Sequence, residues 1–464
     1  MSTLTLSVHN IKHYIGERLL FHLPGAELYK GDRIGVVGVN GAGKSTLMRI
    51  LAGRLTPDEG SVSAHGRRFL MPQTDSADAV YLSGNTGHSG GERVRARMAA
   101  AMADRPDVLL LDEPASHLDD ETRDVLLNYL RRYPGTLVLI SHYRYLLDAL
   151  CREIWELEDG AFTRWAGGYT DYQAAKQAKF DSDMEAYETY TEKKRQLLKA
   201  AAGQDAIADR FQNISENDFY RGKGKIVAKK AKSLRTRAEK LTVAERPKRR
   251  GRVYVDFDEA DQPVSKTPLR VENLSLAPYG RILLENASFT VAGGEKIAIR
   301  GRNGCGKSTL LEHILNRGEG VTVAPGVRFG YLSQRLDALD DDMTLLENVL
   351  AGSRHNESFV RLNMSRLWIR GEDVHKKAGV LSGGERVKAC LAKLYLSDAN
   401  FLLLDEPTNF LDIYAMQALQ EALETYGGAI ILVSHDRMLR EAVCSRELDL
   451  FASGTGGTPA YPGG

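Results

Sequence analysis

Two stretches of this chain carry the residue types best suited to chemistry. Gly38-Val39-Asn40-Gly41-Ala42-Gly43-Lys44-Ser45-Thr46 and Gly301-Arg302-Asn303-Gly304-Cys305-Gly306-Lys307-Ser308-Thr309 each set spaced glycines ahead of a lysine and two hydroxyls. Glycines let backbone N–H groups approach and wrap phosphates, the lysine supplies a point charge to the β- and γ-phosphates, and the first hydroxyl is a ligand for Mg²⁺. Downstream, Val108-Leu109-Leu110-Leu111 and Phe401-Leu402-Leu403-Leu404 are apolar runs that end in Asp112-Glu113-Pro114 and Asp405-Glu406-Pro407. A buried strand can end in acids for solubility alone. Behind a phosphate-binding loop, such a pair reads instead as Asp112 or Asp405 on the metal and Glu113 or Glu406 positioning or deprotonating an attacking water.

These residues need a strand-loop-helix frame to converge, and the flanking sequence provides it. Arg33-Ile34-Gly35-Val36-Val37 is a buried-strand run, and Leu47-Met48-Arg49-Ile50-Leu51 behind the loop is helical. Leu4-Thr5-Leu6-Ser7-Val8 alternates as a strand, and Leu137-Val138-Leu139-Ile140 is another that ends in Ser141-His142. The series recurs about 260 residues later, where Val433-Ser434-His435-Asp436 completes it. Two copies at that distance mean duplicated α/β domains and not a solenoid.

Composition sets the outer bounds. A chain of 464 residues suits two or three domains, and 43% hydrophobic with 27% charged residues is a soluble globular balance. Cys151, Cys305, Cys390 and Cys444 show no disulfide framework and no zinc spacing, which points to a reducing cytoplasm. Met1 to Leu6 lacks the pattern of a signal peptide, and the longest apolar runs are strand-length. The formal net charge of +1 conceals a basic middle stretch between compensating flanks.

The order phosphate-binding loop, glutamine (Gln73, Gln334), Ser-Gly-Gly-Glu (Ser89-Gly90-Gly91-Glu92 and Ser382-Gly383-Gly384-Glu385), Asp-Glu-Pro and Ser-His resembles the ATP-binding cassette (ABC) ATPases. The resemblance covers nearly the whole chain in two copies. Pro407-Thr408-Asn409-Phe410-Leu411-Asp412 and a charged linker without membrane spans resemble the ABC-F class of ribosome-acting ATPases. What the resemblance implies is a head-to-tail pairing in which each ATP is sandwiched between one cassette's phosphate loop and the other's signature. One site would use Gly38, Asn40, Gly41, Gly43, Lys44, Ser45, Thr46, Gln73, Asp112, Glu113 and His142, closed by Ser382, Gly383, Gly384 and Glu385. Its counterpart would use Gly301, Asn303, Gly304, Gly306, Lys307, Ser308, Thr309, Gln334, Asp405, Glu406 and His435, closed by Ser89, Gly90, Gly91 and Glu92. Glu113, Glu406, His142 and His435 would be catalytic. Ser45, Gln73, Asp112, Ser308, Gln334 and Asp405 would face Mg²⁺. Tyr14 and Tyr279 stand where the family places an aromatic against adenine, although each alone also suits a core or loop role.

The first cassette departs from the pattern. His88 replaces the signature leucine, Ala115-Ser116 replaces Thr-Asn, and Tyr143 replaces the aspartate after the histidine. None of these removes a phosphate-contacting, metal or base residue, so two competent sites of unequal rate are expected. Only Thr74 to His88 separates Gln73 from the first signature, too little for a full helical subdomain with an inserted arm, whereas Arg335 to Leu381 is a normal allowance. An arm-less first cassette resembles the antibiotic-resistance branch of ABC-F, as in macrolide, lincosamide and streptogramin resistance proteins. Phe410 and Ile413 are also similar to that branch.

Between the cassettes, Phe180, Met184, Tyr187, Thr191, Lys194 and Leu198, and then Val227, Ala231, Leu234, Ala238 and Leu241, are spaced as the seams of two antiparallel helices. Gly203 to Gly222 reads as the connection, holding Phe211, Ile214, Phe219 and Tyr220. Lys223, Lys225, Lys229, Lys230, Lys232, Arg235, Arg237, Lys240, Arg246, Lys248, Arg249, Arg250 and Arg252 face only Glu239 and Glu245 over that span. A short basic run is commonly a solvated face; this imbalance resembles a footprint on an RNA backbone. The apolar tip either stacks on RNA bases or the tRNA end, or folds back on the cassettes. The expected organisation is a first cassette over 1–175, a basic hairpin over 176–252, a second cassette over 253–451 and a disordered tail over 452–464. The implied activity is ATP hydrolysis on the ribosome, in a monomer whose two ATPase domains pair, with protection from ribosome-targeting antibiotics. An arm-less factor acting on stalled ribosomes and the tandem ATPase subunit of a membrane importer are the alternatives.

Overall fold

The computed structural model describes residues 3–72, 96, 98–99, 103, 105–116, 118–214, 218–243, 245–247, 265–278, 282–333, 336, 338–353, 355–366, 369, 371–409 and 411–450. By compactness the chain divides into residues 1–170 with 252–464, and residues 171–251. Both phosphate-binding segments fall in the first unit.

In the first cassette, β1 (Leu4–Ile15), β2 (Arg18–Tyr29) and β4 (Glu59–Ala64) form an antiparallel sheet in the order β2-β1-β4. Its six-stranded partner has the order β5-β6-β7-β3-β8-β9, built from β3 (Arg33–Gly38), β5 (Arg68–Met71), β6 (Val108–Asp112), β7 (Thr136–Ile140), β8 (Glu153–Glu158) and β9 (Ala161–Ala166). β6 and β7 are buried at every position, which is why both read as unbroken apolar runs: a parallel strand covered on both faces leaves no solvent side for alternation. Helices α1 (Lys44–Leu51), α2 (Asp120–Arg132) and α3 (Arg144–Leu150) follow β3, β6 and β7. The ends of those three adjacent strands therefore deliver the phosphate loop, the Asp112-Glu113 pair and His142 to one edge of the sheet. A doubly wound sheet binds ligands at that edge.

The second cassette repeats the plan. β10 (Leu269–Leu276), β11 (Leu284–Val291) and β13 (Val321–Val323) make the antiparallel sheet. β12 (Lys296–Arg300), β14 (Phe329–Leu332), β15 (Phe401–Asp405), β16 (Ala429–Val433) and β17 (Arg446–Asp449) make the parallel one, ordered β14-β15-β16-β12-β17. Asp112 pairs with Ile140 across β6 and β7, and Asp405 with Val433 across β15 and β16, so the two copies share register.

The second unit holds α4 (Tyr169–Ile214) and α5 (Asp218–Glu239). Here the structure departs from the sequence reading. α4 runs on through Gly203 to Ile214, and Gly222 lies inside α5, which begins at Asp218. A single mid-helix glycine costs about 1 kcal/mol, too little to break a helix whose flanks are alanine-rich. The buried seam also shifts. Phe180, Met184 and Tyr187 are half-buried as expected, but Thr191, Lys194 and Leu198 are exposed, and Leu197, Ala201 and Ala208 carry the stripe instead. Ala201 and Ala208 match Ala231 and Ala238 on α5, all at most 3% exposed, and Arg235 pairs with Asp205 across the two helices. Phe219 is 61% exposed, with Lys223 stacked 4.4 Å above its ring.

In the second cassette, α6 (Lys307–Leu315) follows the phosphate loop, and α7 (Leu345–Leu350), α8 (Glu357–Arg366) and α9 (Gly383–Tyr395) share one apolar cluster. α10 (Ile413–Thr425) and α11 (Arg437–Val443) follow β15 and β16. The shortened stretch from Thr74 to His88, and residues 452–464, lie outside the described residues.

Candidate functional site

Each phosphate loop ends in a left-handed glycine that starts its helix, Gly43 at φ 97° and Gly306 at φ 100°. A side chain is strained there. Lys44 Nζ donates to the carbonyls of Gly38 and Val39 at 2.9 and 3.1 Å, and Lys307 Nζ to those of Gly301 and Arg302 at 2.7 and 3.1 Å. Both ammonium groups are thereby held inside their own loops.

The acids sit on strained backbone. Glu113 (φ 50°) and Glu406 (φ 49°) adopt the left-handed region, unusual for glutamate, and the same strained geometry recurs in both copies. Their backbone N–H groups donate to Ile140 and Val433 in the neighbouring strands at 3.0 and 2.8 Å, which locks the turn. His142 N–H donates to Glu113 Oε2, and His435 N–H to Glu406 Oε2, each at 3.3 Å. The ring Nε2 atoms stand 3.3 Å from Glu113 Oε1 and 3.5 Å from Glu406 Oε1. Burial, with Asp112 alongside, pushes the Glu113 carboxyl up, and burial pushes His142 down. Burial also pushes Asp405 up, to about 6, against a hydrogen bond from Ser308; Asp112 likewise meets Ser45.

The cassettes meet head to tail. A cavity of about 530 Å³ is lined by Asn40, Gly41, Gly43, Lys44, Ser45, Thr46, Asp112, Glu113 and His142 of the first cassette, and by Ser382, Gly383 and Gly384 of the second. Ser382 caps α9, its hydroxyl 2.6 Å from Glu385, so the start of that helix, with Gly383 and Gly384, lines the cavity opposite the first phosphate loop. Asp412 caps α10 and also accepts from the Asn40 N–H at 3.3 Å, tying the second cassette to the first phosphate loop. The second cavity, about 320 Å³, is lined by Asn303, Gly304, Gly306, Lys307, Ser308, Thr309, Asp405, Glu406 and His435, with Arg123 and Tyr143 from the first cassette.

The structure does not bring every expected residue into place. Tyr14 is absent from the first cavity; Ile15 and Leu20 line it instead. The pairing of β1 with β2 slips between His13 and Tyr14, and such an irregularity re-aims side chains. Tyr14 Oη consequently donates toward Glu59 at 3.4 Å, and its N–H donates to Asp58. Gln73, His88, Ser89, Gly90, Gly91, Glu92, Tyr279, Gln334 and Phe410 lie outside the described residues. Arg123 and Asp120 are the members that sequence reading missed. The available signal was Arg123 sharing a helical stripe with Leu126, Leu127 and Leu130.

A family profile described as ABC transporter matches residues 24–82 and 284–409. The chain is 31% identical to the ribosome protection protein VmlR of Bacillus subtilis, covering 97% of this chain and 87% of that protein. The chain belongs to the ABC-F family. To the erythromycin resistance ATP-binding protein MsrA of Staphylococcus epidermidis this ABC-F chain is also 31% identical, over 97% of itself and 98% of the relative. To the energy-dependent translational throttle protein EttA of Escherichia coli it is 30% identical, over 91% and 87%. In fold it is similar to an archaeal ABCE1 structure (TM-score 0.63, 21% identity, 95% of this chain and 87% of that one). The ABC-F cassettes bind ATP, and the chain is an ATPase. Among the described residues no helix is long and apolar enough to cross a membrane.

Proposed function

We propose that this ABC-F ATPase binds the ribosome, with ATP holding its cassettes together, and that it inserts its linker toward the peptidyl-transferase centre to protect translation from ribosome-targeting antibiotics. The observation that carries the ATP-dependent pairing is the first cavity, where Lys44, Glu113 and His142 face Ser382, Gly383 and Gly384. The protective role is supported by likeness to VmlR and MsrA along nearly the whole chain. The basic α5 supports contact with RNA, since phosphate contacts give affinity without sequence readout.

In this reading, loop N–H groups and Lys44 or Lys307 bind the phosphates. Glu113 and Glu406 orient the attacking water and accept its proton, each held by the backbone N–H of His142 or His435. The donor set fits Mg²⁺. Asp405 Oδ2 is buried without a hydrogen bond beside Ser308, Ser45 stands on Asp112, and no three His, Cys, Asp or Glu side chains cluster as an all-protein cage among the described residues. When bound there, Mg²⁺ supplies charge neutralisation to the β- and γ-phosphate oxygens. Loss of the γ-phosphate removes the anion that the α9 N–H groups hold, and the cassettes part.

The test is the Glu113→Gln, Glu406→Gln double variant, followed through a sucrose gradient with ATP. Co-migration with ribosomes is expected; migration with membranes would support an importer subunit instead. Likeness to EttA favours a second reading, a translation factor acting on stalled ribosomes. Drug susceptibility of cells expressing the wild type separates the two: a raised inhibitory concentration supports protection, and an unchanged one supports the translation factor.

A further inference from the structure

The contacts around the second cavity point to a residue the repeated motifs do not contain. Arg123, on α2 of the first cassette, is only 1% exposed although it sits in the run Asp120-Glu121-Thr122-Arg123-Asp124. Its guanidinium is fixed on three sides. Nε donates to the Ala115 carbonyl at 3.3 Å, just past the Asp112-Glu113 strand end of its own cassette. Nη1 donates to the backbone carbonyl of His435 in the other cassette. The plane lies 3.8 Å from the centre of the Tyr143 ring, the residue next to His142. Tyr143 lines both cavities, and Arg123 lines the second.

The duplicated half has no arginine at the matching position. Four residues after Asp119 stands Arg123; four after Asp412 stands Met416, which lines the first cavity. Tyr143 corresponds to Asp436, which is paired elsewhere, with Arg144 at 3.4 Å. A stacked, buried guanidinium is a rigid strut, because its planar fork is pre-organised and its face is held by the ring.

We propose that Arg123 is a positioning residue for hydrolysis at the second site: it holds the His435 backbone in trans and transmits the state of the His142-Tyr143 segment of the first site to it. His435 N–H in turn holds Glu406, so a shift of Arg123 reaches the base at that site, whereas the matching position in the other copy is Met416, which cannot hold the His142 backbone by a guanidinium. The proposal rests on the assignment of the two ATP sites above.

The experiment uses single-site backgrounds of the full chain: Glu113→Gln leaves the second site to turn over, and Glu406→Gln leaves the first. Arg123→Met in the Glu113→Gln background is expected to lower kcat about tenfold or more, with KM for ATP changed less than about threefold, because misplacing a base costs turnover and not ground-state binding. In the Glu406→Gln background the same substitution is expected to change kcat less than about twofold. Arg123→Lys, which keeps charge but loses the planar fork, is expected to recover only part of the loss. Equal losses in both backgrounds, or a rise in KM alone, would overturn the proposal and leave Arg123 as interface packing. Should Arg123→Met fail to fold, Tyr143→Leu retains the arginine and removes its stacking partner; an undiminished second-site kcat there would equally overturn it. If the Glu113→Gln, Glu406→Gln double variant keeps wild-type turnover, the site assignment itself fails, whatever Arg123 does.

Discussion

The edges of the two cavities are chemically unlike. Beside the second, Asp120 of the first cassette bonds Arg440 at 2.8 Å, approaches Arg300 at 3.6 Å and stands 3.8 Å from His435 Nδ1, while Asn303 Oδ1 lies 3.0 Å from His435 Nε2. Beside the first, the residues at the corresponding helix positions are Ile413 and Met416, and His142 Nδ1 is buried with no hydrogen-bond partner among the described residues. The phosphate loops, acids and strained glutamates are alike in both copies. What differs is the set of residues each cassette offers to its neighbour's site. The loop, acid and glutamate geometry recurs in both copies, whereas the residues at these helix positions, which face the other cassette, differ. At these helix positions the second site thus has ionic contacts from across the interface, whereas the first has the apolar Ile413 and Met416 beside the polar tie from Asp412 to Asn40.

Four measurements would break or sharpen that contrast. The largest effect should come from the parts held in common: the Glu113→Gln, Glu406→Gln double variant is expected to lose about a hundredfold or more in steady-state ATP turnover, as loss of a general base does. Residual turnover near wild type would mean the shared chemistry has been misassigned. The single variants come next, with rates that should differ by several-fold between Glu113→Gln and Glu406→Gln in a phosphate-release assay. Equal rates would show that the unlike edges have no kinetic consequence.

The third concerns the glycines that start α1 and α6. A Cβ on Gly43 would lie 2.8 Å from both Leu20 and Phe21, whereas one on Gly306 would lie 3.0 Å from Leu283. Both substitutions to alanine pay for a left-handed φ, but Gly43→Ala also overpacks the apolar wall, at about 1–3 kcal/mol. A lower melting temperature for Gly43→Ala than for Gly306→Ala is expected. The fourth is the smallest and tests the ionic edge by pH. Burial works to raise the Asp120 carboxyl, but His435, Arg440 and Arg123 outweigh it and hold it well below the usual range. A depressed carboxyl contributes stability above its unfolded value, near 3.9, and that contribution disappears as pH falls through the folded value. Asp120→Asn should therefore lower stability at pH 7 by about 1–2 kcal/mol, a partly exposed discount on a buried pair. Thermal scans should show the gap to wild type closing below about pH 4. A gap unchanged with pH would remove the ionic account of that edge.

Much of this was legible before any coordinates, because local chemistry writes itself into local sequence. A phosphate loop requires glycines at fixed offsets, and a doubly covered parallel strand requires an unbroken apolar run, so Lys44, Ser45, Asp112, Glu113 and their copies could be named from spacing. The linker was legible only in part. Heptad spacing gave two helices, but the seam moved from Leu198 to Leu197, and glycines that look like breakers were carried inside helices by their neighbours.

The sequence by itself determined the duplicated α/β cassettes, the loop-acid-histidine series in each, and the basic helix between them. Tertiary structure decided which residues of one cassette face the other's site. The slip in β1 pairing put Ile15 and not Tyr14 at the first cavity. Contact with a surface about three hundred residues away along the chain buried Arg123 and paired the half-buried Asp120, both of which read locally as solvent-facing charges. Pairing across an interface depends on the shape and charge of two folded surfaces at once, and no single window of sequence contains both.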